Sequence, residues 1–156
     1  MAAEAFAAGS FALLGYDVTV QYGANQPGYD LVVVKGDKIL KVNVKGSQDG
    51  GWGVNQSYKK GRTYFEAADV WLKAQGPNIV FCFVQFKGVA PNHMPRMYLA
   101  TSHDVAKRLK ESANGRGETI LYERKDWTKR AYGRGTVDKI PSNWNFSESR
   151  IADMFR

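Results

Sequence analysis

The sequence is short of the residues that build most covalent and metal chemistry. It has one cysteine, Cys82, in 156 residues. A single cysteine excludes an intramolecular disulfide and fits a reducing compartment. Cys82 lies in the apolar run Asn78–Phe86 (NIVFCFVQF), where a buried structural thiol is expected rather than a nucleophile. The two histidines, His93 and His103, stand apart, and with one cysteine they make no recognised zinc site. No GxSxG elbow is present, and the glycine-rich stretch Gly46–Gly61 lacks the GK[ST] ending of a phosphate-binding loop. No apolar run reaches the length of a membrane span. The opening MAAEAFAAGS has an acid and no basic residue, unlike a secretory signal. A cytoplasmic protein with no membrane partner is expected.

Basic residues are also missing from the first 34 positions, which carry Glu4, Asp17 and Asp30 for a net charge of −3. The positive charge is concentrated elsewhere. Residues 35–62 hold seven Lys or Arg against Asp37 and Asp49, a net +5, and residues 124–139 hold Arg124, Lys125, Lys129, Arg130, Arg134 and Lys139 against Asp126 and Asp138, a net +4. The whole chain is +7. Two basic blocks point to a polyanionic partner, most often nucleic acid, or belong to a merely soluble basic protein. The hydrophobic fraction of 44% supports a core of globular size in one domain.

The chain is organised around Tyr29–Ser47 (YDLVVVKGDKILKVNVKGS). Tyr29–Lys35 and Lys38–Lys45 are rich in Val, Ile and Leu, as strands are. Gly36-Asp37 is a two-residue hairpin turn in which Gly takes positive φ at the first central position. Partners then sum to 73, which pairs Val34 with Ile39, Val32 with Lys41 and Asp30 with Asn43. Opposed residues share a face, with Cβ atoms roughly 5 Å apart. Alternation adds Lys45 to that face and leaves Leu40, Val42 and Val44 for the core. An Asp, an Asn and a Lys converge at one end of an apolar hairpin. An ordinary solvated hairpin end has the same pattern.

The remaining elements follow from periodicity and breakers. Met1–Leu14 reads as a helix in which Glu4 shares a stripe with Ala7, Ala8 and Phe11. Glu4 faces the protein, where an acid needs a partner or metal, or sits at an exposed first turn that suits the helix dipole. Tyr16–Tyr22 reads as a strand and Gly23–Gly28 as a turn. Gly46–Gly61 reads as a glycine-rich loop whose Trp52, Tyr58 and lysines suit a phosphate backbone or a base, or as a disordered connection. Arg62–Gln75 reads as a helix with Phe65, Ala68 and Leu72 inward. Asn78–Phe86 reads as a central strand buried on both sides. Arg96–Thr101 is a strand, Ser102–Ala113 a helix capped by Ser102 with Val105 and Leu109 on one face, Glu118–Arg124 a short strand, and Ser147–Phe155 a terminal helix. Residues 125–141 are basic and carry no clear period. The order predicts an α/β domain with helices flanking a mixed central sheet.

Phosphodiester hydrolysis requires a divalent ion to activate water and to offset charge developing on the phosphate. Mg²⁺ takes oxygen ligands, usually one or two carboxylates with waters. Glu4, Asp30, Asn43 and Lys45 are residue types that supply such a site. Glu4 on the first helix, Gly28-Tyr29-Asp30, and Val42-Asn43-Val44-Lys45-Gly46-Ser47 together resemble the PD-(D/E)xK nuclease superfamily, with its restriction-endonuclease-like αβββαβ core. The similarity spans roughly residues 1–101 and is nearest to the Holliday-junction-resolvase-like and intron-homing branches.

The resemblance implies a nuclease domain over 1–124, with 125–156 a basic C-terminal extension packed on it or trailing from it. It implies that Asp30 is the principal ligand of Mg²⁺ or Mn²⁺, that Asn43 occupies the second acidic position, that Lys45 is the catalytic lysine and that Glu4 assists the metal. Ser47 fills the small polar position after the motif. Gln56, Lys59, Lys60 and Arg62 are assigned to the nucleic-acid backbone on charge alone. The implied activity is endonucleolytic cleavage of DNA, branched or duplex, by a homodimer, since two cuts need two sites. Asn43 departs from the family pattern, because an amide oxygen brings no charge. Hence the alternative stays open of a catalytically impaired nucleic-acid-binding protein on the same fold. A protein-interaction domain is the third class.

Overall fold

A computed structural model describes residues 2–21, 28–130 and 135–156. Tyr22, most of the expected turn at Gly23–Gly28, and Arg134 of the second basic block lie outside the described residues. The chain divides into two compact units. One comprises Met1–Asp49, Gly76–Thr101 and Ser142–Arg156, and the other Gly50–Gln75 and Ser102–Pro141. Residues 125–141 thus belong to the second unit and 142–156 to the first.

The first unit is an α/β structure on a five-stranded mixed sheet. Its elements are helix α1 (Ala2–Leu13), β1 (Asp17–Val20), β2 (Leu31–Lys35) and β3 (Lys38–Ser47), followed later by β5 (Ile79–Gln85), β6 (Arg96–Thr101) and helix α4 (Glu148–Met154). The sheet order is β1-β2-β3-β5-β6. β3 and β5 run parallel, and the other neighbours are antiparallel. The hairpin takes the expected register over β2, with Val32 facing Lys41, Val34 facing Ile39 and Lys35 facing Lys38, but the ladder ends at Leu31–Val42 and the expected pairing of Asp30 with Asn43 is not part of it. Gly36 takes φ +63°, which only glycine enters at no steric cost.

The hairpin's apolar positions explain the core. Leu40, Val42 and Val44 pack with Val80, Cys82 and Val84 against Ala3, Ala7 and Phe11 of α1 and Ile151 of α4. Every residue of β5 is buried, as its unbroken apolar run predicts. On the other face Phe81 stacks on Phe83 and Phe83 on Trp144, with centroids 6.0 and 6.4 Å apart. The outer edge of β6 is covered by a bridge from Tyr98 to Asn145.

The second unit holds β4 (Gly51–Gly53), helix α2 (Tyr64–Ala74), helix α3 (Ser102–Gly115), β7 (Ile120–Tyr122), β8 (Arg124–Asp126) and β9 (Val137–Lys139). β4 pairs with β7, and β8 with β9. Four expectations need correction. The Gly46–Gly61 segment is not a plain loop: β3 runs on to Ser47, Gly51–Gly53 is a strand, and a 3-10 turn covers Gln56–Tyr58. Trp52 is buried in β4, so its ring is not offered to a base. On α2 the buried residues are Ala67, Ala68 and Trp71, whereas Phe65 is exposed. The expected strand Glu118–Arg124 is split between two ladders.

Asp138 of β9 organises the second unit. Its carboxylate accepts from Arg108 Nη2 at 3.1 Å, from the Ala113 N–H at 2.9 Å and from Trp127 Nε1 at 2.7 Å. Ala113 and Asn114 have φ of +54° and +57°. The acceptor at Asp138 holds the end of α3 in that left-handed turn, where α-helical bonding stops.

Candidate active site

The site lies in the first unit, where β2 and β3 meet at their ends. Asp30 immediately precedes β2. Its N–H donates to the carbonyl of Val42, which is already the register partner of Leu31. The chain therefore leaves the ladder at Asp30, and the carboxylate swings onto the neighbouring strand. Asp30 Oδ2 accepts from the Val44 N–H at 2.6 Å. A carboxylate on a backbone donor at that distance is a charge-assisted bond, short and directional. It fixes the Asp30 carboxylate on the backbone between Asn43 and Lys45, where its charge acts on Lys45.

Asn43 Nδ2 donates to the Gly28 carbonyl at 3.1 Å. This bond sets which end of the amide is which: the nitrogen is used on the backbone, and Oδ1 keeps its lone pairs. Lys45 is half-buried. Burial holds its ammonium below the usual lysine value, and the nearby Asp30 charge works in the opposite direction. The structure thus brings Asp30, Asn43 and Lys45 together.

Alternation places Asn43, Lys45 and Ser47 on the sheet face of Phe81, Phe83 and Gln85, their partners on β5. Glu4 stands on α1, which covers the opposite face. Its first turn reaches the same end of β3, because Gly46 leaves room for it: a Cβ at Gly46 would stand 2.8 Å from Ala3 Cβ. Glu4 is half-buried, with Oε2 shut off from solvent. Ser47 closes β3 and donates to Asp49 Oδ1 at 2.9 Å.

Gln56, Lys59, Lys60 and Arg62 belong to the second unit. Lys59 Nζ sits 4.7 Å above the Tyr64 ring, and Arg62 Nη1 donates to the Tyr58 carbonyl at 3.1 Å.

The sequence reading missed Gln85, a fully buried amide on the lysine's face and opposite Ser47. Its Oε1 accepts from the Lys87 N–H at 3.0 Å. A glutamine inside a buried apolar run was the available signal.

Among the described residues no group of three or more His, Cys, Asp or Glu is placed to hold a metal ion. Cys82 is buried and its thiol is pushed up to about 12 by that burial, so it is no nucleophile at neutral pH. Comparison with protein-family models, with curated proteins and with solved structures finds no match.

Proposed function

We propose that this protein is a divalent-metal-dependent endonuclease of the PD-(D/E)xK type, acting on DNA. One observation carries the reading: Asp30 is fixed by the Val44 N–H beside the half-buried Lys45, whose ammonium feels its charge. A half-buried lysine kept near the end of β3 next to one tethered carboxylate is costly to a structure that has no use for it. The element order α1-β1-β2-β3, then β4, α2 and β5, with β3 and β5 parallel, supports the same reading when β4 is taken as an insertion.

The donor set fits a hard cation. Asp30 Oδ1 is not used in the bond to Val44, and Asn43 spends its Nδ2, not its oxygen, on Gly28; Glu4, on the helix that packs against the opposite face, is the second carboxylate that the resemblance assigns. One or two carboxylates with an amide oxygen is the chemistry Mg²⁺ accepts. When bound, the ion supplies a nucleophile from water and charge stabilisation at the phosphate. The chain's own residues do the rest. Asp30 and Asn43 orient the metal-binding end of the hairpin, and Lys45 holds the scissile phosphate through a charge-assisted hydrogen bond.

A second reading is favoured because, among the described residues, no group of three or more His, Cys, Asp or Glu is placed to hold a metal ion. It is a nucleic-acid-binding protein of the same fold with impaired catalysis. Incubating the protein with plasmid and branched DNA, with Mg²⁺ or Mn²⁺ and then with EDTA, separates the two. Cleavage that requires metal and is lost in Asp30→Asn and Lys45→Met supports the nuclease. Calorimetry with Mn²⁺ gives a readout independent of cleavage, since heat of binding should vanish in Asp30→Asn.

A further inference from the structure

The second unit carries a surface that the cleavage reading does not use. Between Gly50 and Phe65 there is no acidic residue, and Lys59, Lys60 and Arg62 fall within this stretch. Two aromatic rings are exposed at its end, Tyr64 at 37% and Phe65 at 44%. They open α2 directly after the basic run. Tyr64 is held from two sides. Lys59 Nζ lies 4.7 Å over its ring, and Gly117, at φ +91°, backs it so closely that a Cβ there would stand 2.5 Å from Tyr64 Cβ. The next acid along the chain, Glu66, is turned back into the capping box of α2, where its carboxylate accepts from the Thr63 N–H at 3.3 Å, and Glu118, next to Gly117, accepts from the Thr119 N–H at 2.8 Å. Asp69, further along the helix, is paired with Lys110 at 2.5 Å.

We infer that this surface binds single-stranded nucleic acid, with an unpaired base stacked on Phe65 and the flanking phosphates on Lys60 and Arg62. An exposed phenylalanine beside cations offers the two things a single strand presents and a duplex does not present together: a free base face and a nearby phosphate. Duplex DNA keeps its base faces stacked inside, so it would use the cations and leave the ring idle. The site requires nucleic acid as partner but neither metal nor catalysis, so it stands or falls apart from the cleavage reading.

The test is fluorescence anisotropy in EDTA at low salt, using a labelled oligothymidylate of about twenty nucleotides. The wild-type protein binds it, and Phe65→Ala weakens binding on the order of tenfold, because the base no longer has a ring to stack on. Phe65→Trp keeps the affinity. An abasic chain of the same length binds wild type as weakly as oligothymidylate binds Phe65→Ala. The Lys60→Ala, Arg62→Ala double variant flattens the salt dependence, by about 0.7 in slope for each phosphate that is no longer neutralised. Three outcomes overturn the inference: equal binding of oligothymidylate by wild type and Phe65→Ala, equal binding of the abasic chain, or no binding of any nucleic acid at low salt. The last would make the patch a protein-docking surface. Phe65 is exposed, so its replacement leaves the core intact, and the abasic chain probes the stack with no substitution at all.

Discussion

At the scale of single residues, the decisive feature is a lysine whose burial is tolerated. Lys45 titrates below its unfolded value because burial disfavours its charge. An unfolded chain therefore binds more protons than the folded one between the two values. By linkage, the stability contribution of Lys45 is least favourable below its folded value and improves as pH rises toward the ordinary lysine range. Lys45→Met should accordingly raise the melting temperature at pH 7, and its advantage over wild type should shrink in melts at alkaline pH. The same variant should abolish cleavage, so stability and activity would move in opposite directions. Asn43 is the complementary case. Asn43→Asp places a unit charge where an amide dipole now sits, and Mn²⁺ affinity by calorimetry should rise by on the order of tenfold or more. Cys82 should be silent toward thiol reagents in the native state and react only on unfolding, as its burial and raised value of about 12 require.

Elements are positioned by small residues and by shared acceptors. Gly46 lets the first turn of α1 lie on the end of β3, with Ala3 filling the space that a side chain would occupy. Gly46→Ala should cost about 1–3 kcal/mol by overpacking, measured by urea unfolding, and Ala3→Gly should recover part of it. If Gly46→Ala leaves stability unchanged, α1 does not pack as described. In the second unit, Asp138 of β9 is the shared acceptor for α3 and for Trp127 just after β8, so Asp138→Ala leaves an indole N–H and a backbone N–H unpaired and takes from the largely buried Arg108 guanidinium its nearer carboxylate. Loss of about 3–5 kcal/mol is expected, and Asp138→Asn should recover part of it because the amide oxygen still accepts. The corrected faces of α2 belong here too. Phe65 has the spacing of a core residue, but the small residues Ala67 and Ala68 beside Trp71 take the buried side. Helical spacing alone cannot say which of two adjacent stripes meets the neighbour.

For the molecule as a whole, charge and chain path matter most. The net +7 is concentrated in two blocks, so DNA affinity should fall linearly with the logarithm of salt concentration. A slope near zero would argue against a polyanion partner. The chain contributes to each unit from separated segments. Trp144 and Ile151, both buried in the first unit, come from its last segment. Deleting residues 142–156 should therefore expose aromatic and aliphatic core and lower the urea midpoint, rather than trim a dispensable tail. No helix among the described residues is long and apolar enough to cross a membrane.

The hairpin register was determined by sequence, because a two-residue turn and a strand period of two leave one alignment that buries Leu40, Val42 and Val44. The unbroken run of β5 announced its double burial in the same way. What only the tertiary structure decided are the features that depend on residues far apart in the chain. The Asp30 carboxylate is tethered to Val44 because the chain breaks register there, α1 packs on the end of β3 because Gly46 lacks a side chain, and Gln85 comes to lie opposite Ser47 through a parallel pairing that no local pattern encodes. The pairings β4–β7 and β8–β9 belong to the same class: three-residue strands carry too little periodicity to show in a sequence, and it is their partners, many residues away, that make them strands.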